Sequence, residues 1–142
     1  MANSIQIDEL TEAVMGELRR YQSLAQEDVK KSVKSAANLV RKEIRKNGPK
    51  HSGAYPKGYK REKRKNGGTY RKSFQVKTMI ESPVAVSMIV HSPKQYMLTH
   101  LLEDGHAKRG GGRVSGRPHI EPARDLGEKH LVEELTKALQ SH

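Results

Sequence analysis

Seven histidines are the residues in this 142-residue chain that most invite chemistry, as metal ligands or as acid–base groups. His91, His100, His106, His119 and His130 follow no two-ligand spacing of the kind that sets a zinc-binding pair on one helix face, so no metal site is expected. His91 falls in an alternating stretch and His119 flanks a turn, and half-exposed structural roles fit both. Glu103, Asp104 and His106 have the composition of an acid–base constellation, but nothing in their spacing fixes which group would attack what. Two carboxylates just before Gly105 read instead as solvated turn residues. The window Gly105-His106-Ala107-Lys108-Arg109-Gly110 has the first spacing of a phosphate-binding loop. Gly111-Gly112 then replace the required Lys and Ser/Thr, and neither a strand before the window nor a helix after it is predicted. Catalytic residues, a cofactor and nucleotide binding are therefore not expected. Gly110 to Gly112 read as a mobile loop tip that orders when something presses on it, with Lys108, Arg109, Arg113 and Arg117 as candidate assembly contacts.

The formal net charge is +11, and most of it lies in one stretch: from Arg45 to Lys72 there are eleven Lys or Arg and a single acid, Glu62. The rest of the chain is close to neutral. Such a segment attracts a polyanion, either nucleic acid or an acidic protein face, through a long-range and salt-sensitive field. Lys57, Lys60, Arg61, Lys63, Arg64, Lys65, Arg71 and Lys72 are the candidate contacts, and Tyr55, Tyr59 and Tyr70 among them suit ring stacking. No helix-turn-helix, zinc-finger or RNA-motif pattern accompanies them, so any nucleic-acid contact is with the backbone. A solvated insertion is the other reading of the same charge run.

The elements that would carry these residues follow from periodicity. Leu10, Val14, Leu18, Tyr21, Leu24 or Ala25, Val29, Val33, Ala36, Val40 and Ile44 recur at three- or four-residue steps and predict a helical segment over 8–47, capped by Asp8 and stopped at Asn47-Gly48-Pro49. One helix of that length would run roughly 57 Å, against a radius of gyration of about 14 Å for a compact chain of this size. It must break, and the phase slip over 24–28 marks the place, or it must project and bury its stripe on another subunit. A basic arm over 48–72 follows. Period-two alternation from Ser73 to Ile80 and from Val84 to His91 predicts a hairpin over 73–92, with Phe74, Val76, Thr78 and Ile80 facing one way and Val84, Val86, Met88 and Val90 likewise. A short helix over 96–104 and a Gly-rich loop over 105–117 come next. The segment 118–140 completes the chain, with a short third strand drawn from Val114 to Ile120 and a helix that Pro122 opens. Ala123, Leu126, Leu131, Leu135, Ala138 and Leu139 are the expected buried stripe of that helix. The predicted class is α+β, one domain with a small antiparallel sheet covered by helices.

Composition narrows the remaining classes. Apolar residues make up 34% of the chain, enough for one modest core, and the absence of cysteine excludes disulfide, thiol and thiolate-metal chemistry. No apolar run approaches the length of a membrane span and Met1 to Ile7 lacks a signal-peptide pattern, so folding in a cytoplasm is expected. No repeat is visible.

Four passages in order resemble a known family. They are Gly48-Pro49 with Ser52-Gly53; Thr69-Tyr70-Arg71-Lys72-Ser73-Phe74; Tyr96 with Leu101-Leu102-Glu103-Asp104-Gly105-His106; and Gly116-Arg117-Pro118-His119-Ile120-Glu121-Pro122-Ala123. The chain resembles the small tail components of long-tailed double-stranded DNA bacteriophages, called head–tail joining, neck or tail-completion proteins. Ala54 to Gly68 is longer and more basic than the family pattern, and His106 stands where a threonine often follows the glycine. The resemblance implies a non-enzymatic virion subunit that forms a homo-oligomeric ring between head and tail. It also implies contacts with other phage neck, connector or tail proteins and no membrane, and non-specific DNA backbone contact suits the arm. A sequence-neutral nucleic-acid-binding protein using the basic arm is the alternative.

Overall fold

The computed structural model describes residues 7–49 and 70–141. Helix α1 spans Ile7–Asn47, a 3-10 turn spans Tyr70–Ser73, strands β1 and β2 are Gln75–Glu81 and Val86–His91, and helix α2 is Tyr96–Asp104. Strands β3 (Gly105–Ala107) and β4 (Arg113–Ser115) lead to helix α3, Ile120–Gln140. The class is α+β, with a long N-terminal helix, two small antiparallel sheets and a C-terminal helix.

Helix α1 is continuous for 41 residues, roughly 62 Å at 1.5 Å per residue, with no interruption over 24–28. The reason is that Ala25-Gln26-Glu27-Asp28 contains neither Gly nor Pro. A slip in apolar phase rotates the stripe around the helix but gives the backbone no cause to break. The helix accordingly has two parts. Every residue from Leu10 to Leu24 is exposed, whereas Ala36, Ala37 and Ile44 are buried in its second half.

The core centres on Ile44, Phe74 and Ala123, with Val40, Tyr70, Val90 and Ile120 packed around them. Helix α3 lies against α1, and Gly127 faces Val40 so tightly that an added Cβ would stand 2.2 Å from Val40 Cγ2. Only a residue without a side chain admits that approach. Ser35 Oγ and His130 Nε2, 2.7 Å apart, tie the two helices further along. The contact face of α3 is therefore set by Ala123 and Gly127. Leu126 and Leu139, expected in the buried stripe, are exposed instead. The helix also starts two residues before the expected Pro122.

Strands β1 and β2 pair antiparallel from Gln75↔His91 to Glu81↔Val86, and Val76, Val86, Met88 and Val90 are half-buried as alternation requires. A bulge between Thr78 and Ile80 breaks the period, so Met79 and Ile80 both face solvent. Val84, expected on the inner face, sits in the turn before β2 and is 89% exposed.

The stretch expected as a Gly-rich loop is a second hairpin, pairing Gly105↔Ser115, His106↔Val114 and Ala107↔Arg113. Gly111 and Gly112 adopt φ of +94° and +84°, so they supply the tight reversal rather than slack chain. The expected strand from Val114 to Ile120 is replaced by β4, and Ile120 already belongs to α3.

Candidate assembly and polyanion interface

The basic arm is rooted where α1 ends. Gly48 N–H donates to the Ile44 carbonyl at 2.8 Å, and a Cβ on Gly48 would come within 3.0 Å of the Arg71 side chain. The points where the chain leaves residue 49 and returns at residue 70 are thus neighbours. Arg45 stitches them, its Nη2 donating to the Phe74 carbonyl at 2.8 Å and the Lys72 carbonyl at 3.3 Å. Ser73 Oγ pairs with the buried Ser92 Oγ at 2.6 Å, which fixes the turn to the end of β2. Of the candidate polyanion contacts, Arg71 is half-buried in this root and Lys72 is exposed beside it. Lys57, Lys60, Arg61, Lys63, Arg64 and Lys65, with Tyr55 and Tyr59, lie outside the described residues.

A polar latch joins the root to the rest of the molecule. Tyr70 O–H lies 2.9 Å from His119 Nε2, while His119 Nδ1 lies 2.7 Å from the Arg117 carbonyl and 2.9 Å from Glu103 Oε2. In the Nδ1–H tautomer the ring donates to the Arg117 carbonyl and accepts from Tyr70 at Nε2, with the Glu103 carboxylate close beside Nδ1. The Glu103 carboxylate in turn accepts the backbone N–H groups of His119 at 2.8 Å, Ile120 at 3.0 Å and Glu121 at 2.9 Å. These belong to the start of α3, whose N–H groups have no partner within the helix. His119 makes no side-chain cap bond of its own, so Glu103 is the cap. One carboxylate thus fastens the end of α2 to the start of α3, and one imidazole fastens both to the arm.

Two sequence readings are corrected here. His119 is 1% exposed, not half-exposed, and the Glu103 side chain is 14% exposed rather than a solvated turn residue. The Glu103 carboxyl is driven upward by burial, but the amides of Glu121, His119 and Ile120, with His119 itself, outweigh that and hold it below its ordinary value. Burial first, and the Glu103 charge second, push the Tyr70 phenol up to about 12. With both oxygens engaged by amides, Glu103 is not placed to act as an acid or base on a substrate. Among the described residues no group of three or more His, Asp or Glu could hold a metal ion.

The second basic cluster hangs from the same latch. Lys108 and Arg109 are exposed at the tip of the β3–β4 hairpin. Arg113 in β4 reaches back to the Asp104 carbonyl at 3.3 Å, and Arg117 N–H donates to the Leu102 carbonyl at 2.7 Å. Gly105 and Gly116 lie back to back at the hairpin base. A Cβ on either would stand 2.2 Å from a carbonyl oxygen, that of Val114 or Glu103 respectively.

A run of exposed apolar residues lies elsewhere, on the first half of α1. Leu10, Val14, Leu18, Tyr21 and Leu24 are each 44–57% exposed. Residues 7–24 extend roughly 27 Å, and packing of the helix begins at Ala25. No helix among the described residues is long and apolar enough to cross a membrane.

Comparison with curated proteins and with solved structures found no match in either case. The model of the HK97-gp10-like family, described as "Bacteriophage HK97-gp10, putative tail-component", matches residues 12–105. That span takes in nearly all of α1, the arm, the β1–β2 hairpin and α2, more than half of the chain, and the protein belongs to this bacteriophage tail-component family.

Proposed function

We propose that this tail component is a non-enzymatic head–tail joining or tail-completion subunit of the phage neck, assembling with copies of itself into a ring around the DNA passage. The observation that carries this reading is the exposed half of α1. A helix of some eighteen residues standing free in water is marginal even with good helix formers, and this one also holds Leu10, Val14, Leu18 and Leu24 half in solvent. An apolar stripe of that extent is characteristic of a surface that meets a protein partner. Among the described residues nothing covers the stripe, and where a different face of the next copy covers it the contacts are head-to-tail and close into rings when the rotation permits.

The basic clusters fit the same reading. An arm rooted at fixed points and rich in Lys and Arg suits the phosphate backbone of DNA passing through a ring, or an acidic face of a neighbouring neck, connector or tail protein. Lys108, Arg109, Arg113 and Arg117 are placed on or beside a hairpin that can touch the next subunit. Electron microscopy of the purified chain, alone and with connector and tail partners, tests the reading. Rings with a central opening are expected in at least one condition, and persistent monomer in both would refute it.

A further inference from the structure

We infer that the cleft between α1 and the turn joining β1 to β2 receives the exposed N-terminal half of α1 from a neighbouring copy of this chain. The inference rests on the assembly reading above and adds which face meets which. Tyr21, Ala25 and Val29 form one side of the cleft and Pro83, Val84 and Val86 the other, around a volume of about 390 Å³. The turn is held in place before any partner arrives. Ser82 N–H donates to the Ala85 carbonyl at 2.9 Å, Ser82 Oγ accepts from Ala85 N–H at 3.0 Å, and Lys30 Nζ reaches Glu81 at 3.7 Å across the gap. A rigid rim lowers the ordering cost of docking. It also accounts for Val84, an aliphatic residue held almost wholly in water at the edge of an apolar cleft.

The occupant follows from continuity and charge. Leu10, Val14 and Leu18 lie on the same unbroken helix as Tyr21, Ala25 and Val29, and Leu18 stands one turn before the cleft. That helix cannot fold back on itself, so its own stripe cannot fill the cleft and another copy's stripe can. Residues 1–24 carry four acids, Asp8, Glu9, Glu12 and Glu17, against Arg19 and Arg20; the remainder carries 25 basic and 12 acidic side chains. Lys30 is the one charged residue lining the cleft, and no acid lines it. Lys30 is already held by Glu27 at 3.6 Å and Glu81 at 3.7 Å, so the charge match is not with the cleft edge but between an acidic amphipathic helix and a chain that is basic as a whole. The stripe of Leu10, Val14 and Leu18 and the cleft that begins at Tyr21 are successive stretches of surface, so each copy offers one of each and a stripe-to-cleft contact propagates in one direction.

The chain has no cysteine, so a single introduced thiol reports one position. Leu18→Cys and Val84→Cys chains are mixed and oxidised, and the mixed disulfide dimer is compared with the two self-pairs. The mixed dimer is expected to exceed either self-pair by about tenfold or more. Val84→Asp, a change at an exposed position that leaves the core untouched, is expected to abolish assembly as fully as Leu18→Asp. Dominant Leu18→Cys self-pairing would overturn the inference in favour of a two-fold stripe-to-stripe dimer. Wild-type rings that survive Val84→Asp would overturn the cleft alone and leave the assembly reading standing. A wild-type chain that never assembles, even with its partners, would overturn both.

Discussion

Replacing Glu103 tests how the molecule holds its two basic segments in place. Its carboxylate accepts N–H groups from His119, Ile120 and Glu121 at 2.8–3.0 Å. Losing a side-chain cap to alanine costs about 0.5–2 kcal/mol, and hydrogen bonds to a charged group contribute about 1.5–3 kcal/mol each. Three such bonds do not sum, because the site is 14% exposed and water can replace part of what is lost. Glu103→Ala is therefore expected to cost about 2–3 kcal/mol. Glu103→Gln keeps the shape and one accepting oxygen but turns an NH2 toward an amide donor, and about 1–2 kcal/mol is expected. Urea unfolding followed by circular dichroism measures both, at fixed protein concentration because assembly shifts apparent stability. The sign with pH follows from the carboxyl being held below its ordinary value of 4.5. The stabilisation is fully present above that value and is lost as pH falls through the lower, folded value, so the gap between wild type and Glu103→Gln should close in acid. A loss below about 0.5 kcal/mol for Glu103→Ala, small against any cap, or a gap that ignores acid, would refute the cap.

Other consequences are equally direct. Gly127→Ala gains about 1 kcal/mol of helix propensity but drives a methyl into Val40 Cγ2, and a net loss of about 1–2 kcal/mol is expected by thermal or urea unfolding. Tyr70→Phe leaves a buried imidazole nitrogen without its donor and should cost about 1–3 kcal/mol. In the wild type, ultraviolet titration should show one phenol ionising near 12, with the stability it contributes intact below its ordinary value of 10.0 and lost as pH rises from there to about 12. Neutralising Lys60, Arg61, Lys63, Arg64 and Lys65 should flatten the salt dependence of any duplex-DNA binding, read by fluorescence anisotropy across a salt series; an unchanged slope would remove the arm from that contact.

Much of this was legible in the residues, and what was not has a physical cause. The four-residue recurrence of Ala36, Val40 and Ile44 marks the half of α1 that meets the core, and Phe74 with the alternation after it marks the first hairpin. The order of the Gly-Pro, Tyr-Arg-Lys-Ser-Phe and Leu-Glu-Asp-Gly passages, all within the matched span 12–105, points to the family that the chain belongs to. The continuity of α1 was not legible from its stripe. Apolar phase reports what a helix touches, whereas backbone chemistry at Ala25 to Asp28 decides whether it stays whole. Glu103 and His119 were misread because the bonds from Glu103 to the start of α3 and from Tyr70 to His119 cross 16 and 49 residues, with no local signature of a cap supplied from another helix. Three successive glycines resemble slack until two of them take the positive φ that a hairpin reversal needs. Leu126 and Leu139 fit the period of a buried stripe, yet the close approach at Gly127 turns a neighbouring face of α3 toward α1.

The mass of the protein in solution, measured by light scattering over a wide concentration range with and without its neck partners, tests most directly whether the exposed half of α1 is covered by other copies of the chain. The account predicts a particle of several subunits for the wild type and a species near the 16.0 kDa of one chain for Leu18→Asp. A wild type that stays at one chain's mass throughout, or a Leu18→Asp variant that assembles unchanged, would contradict it.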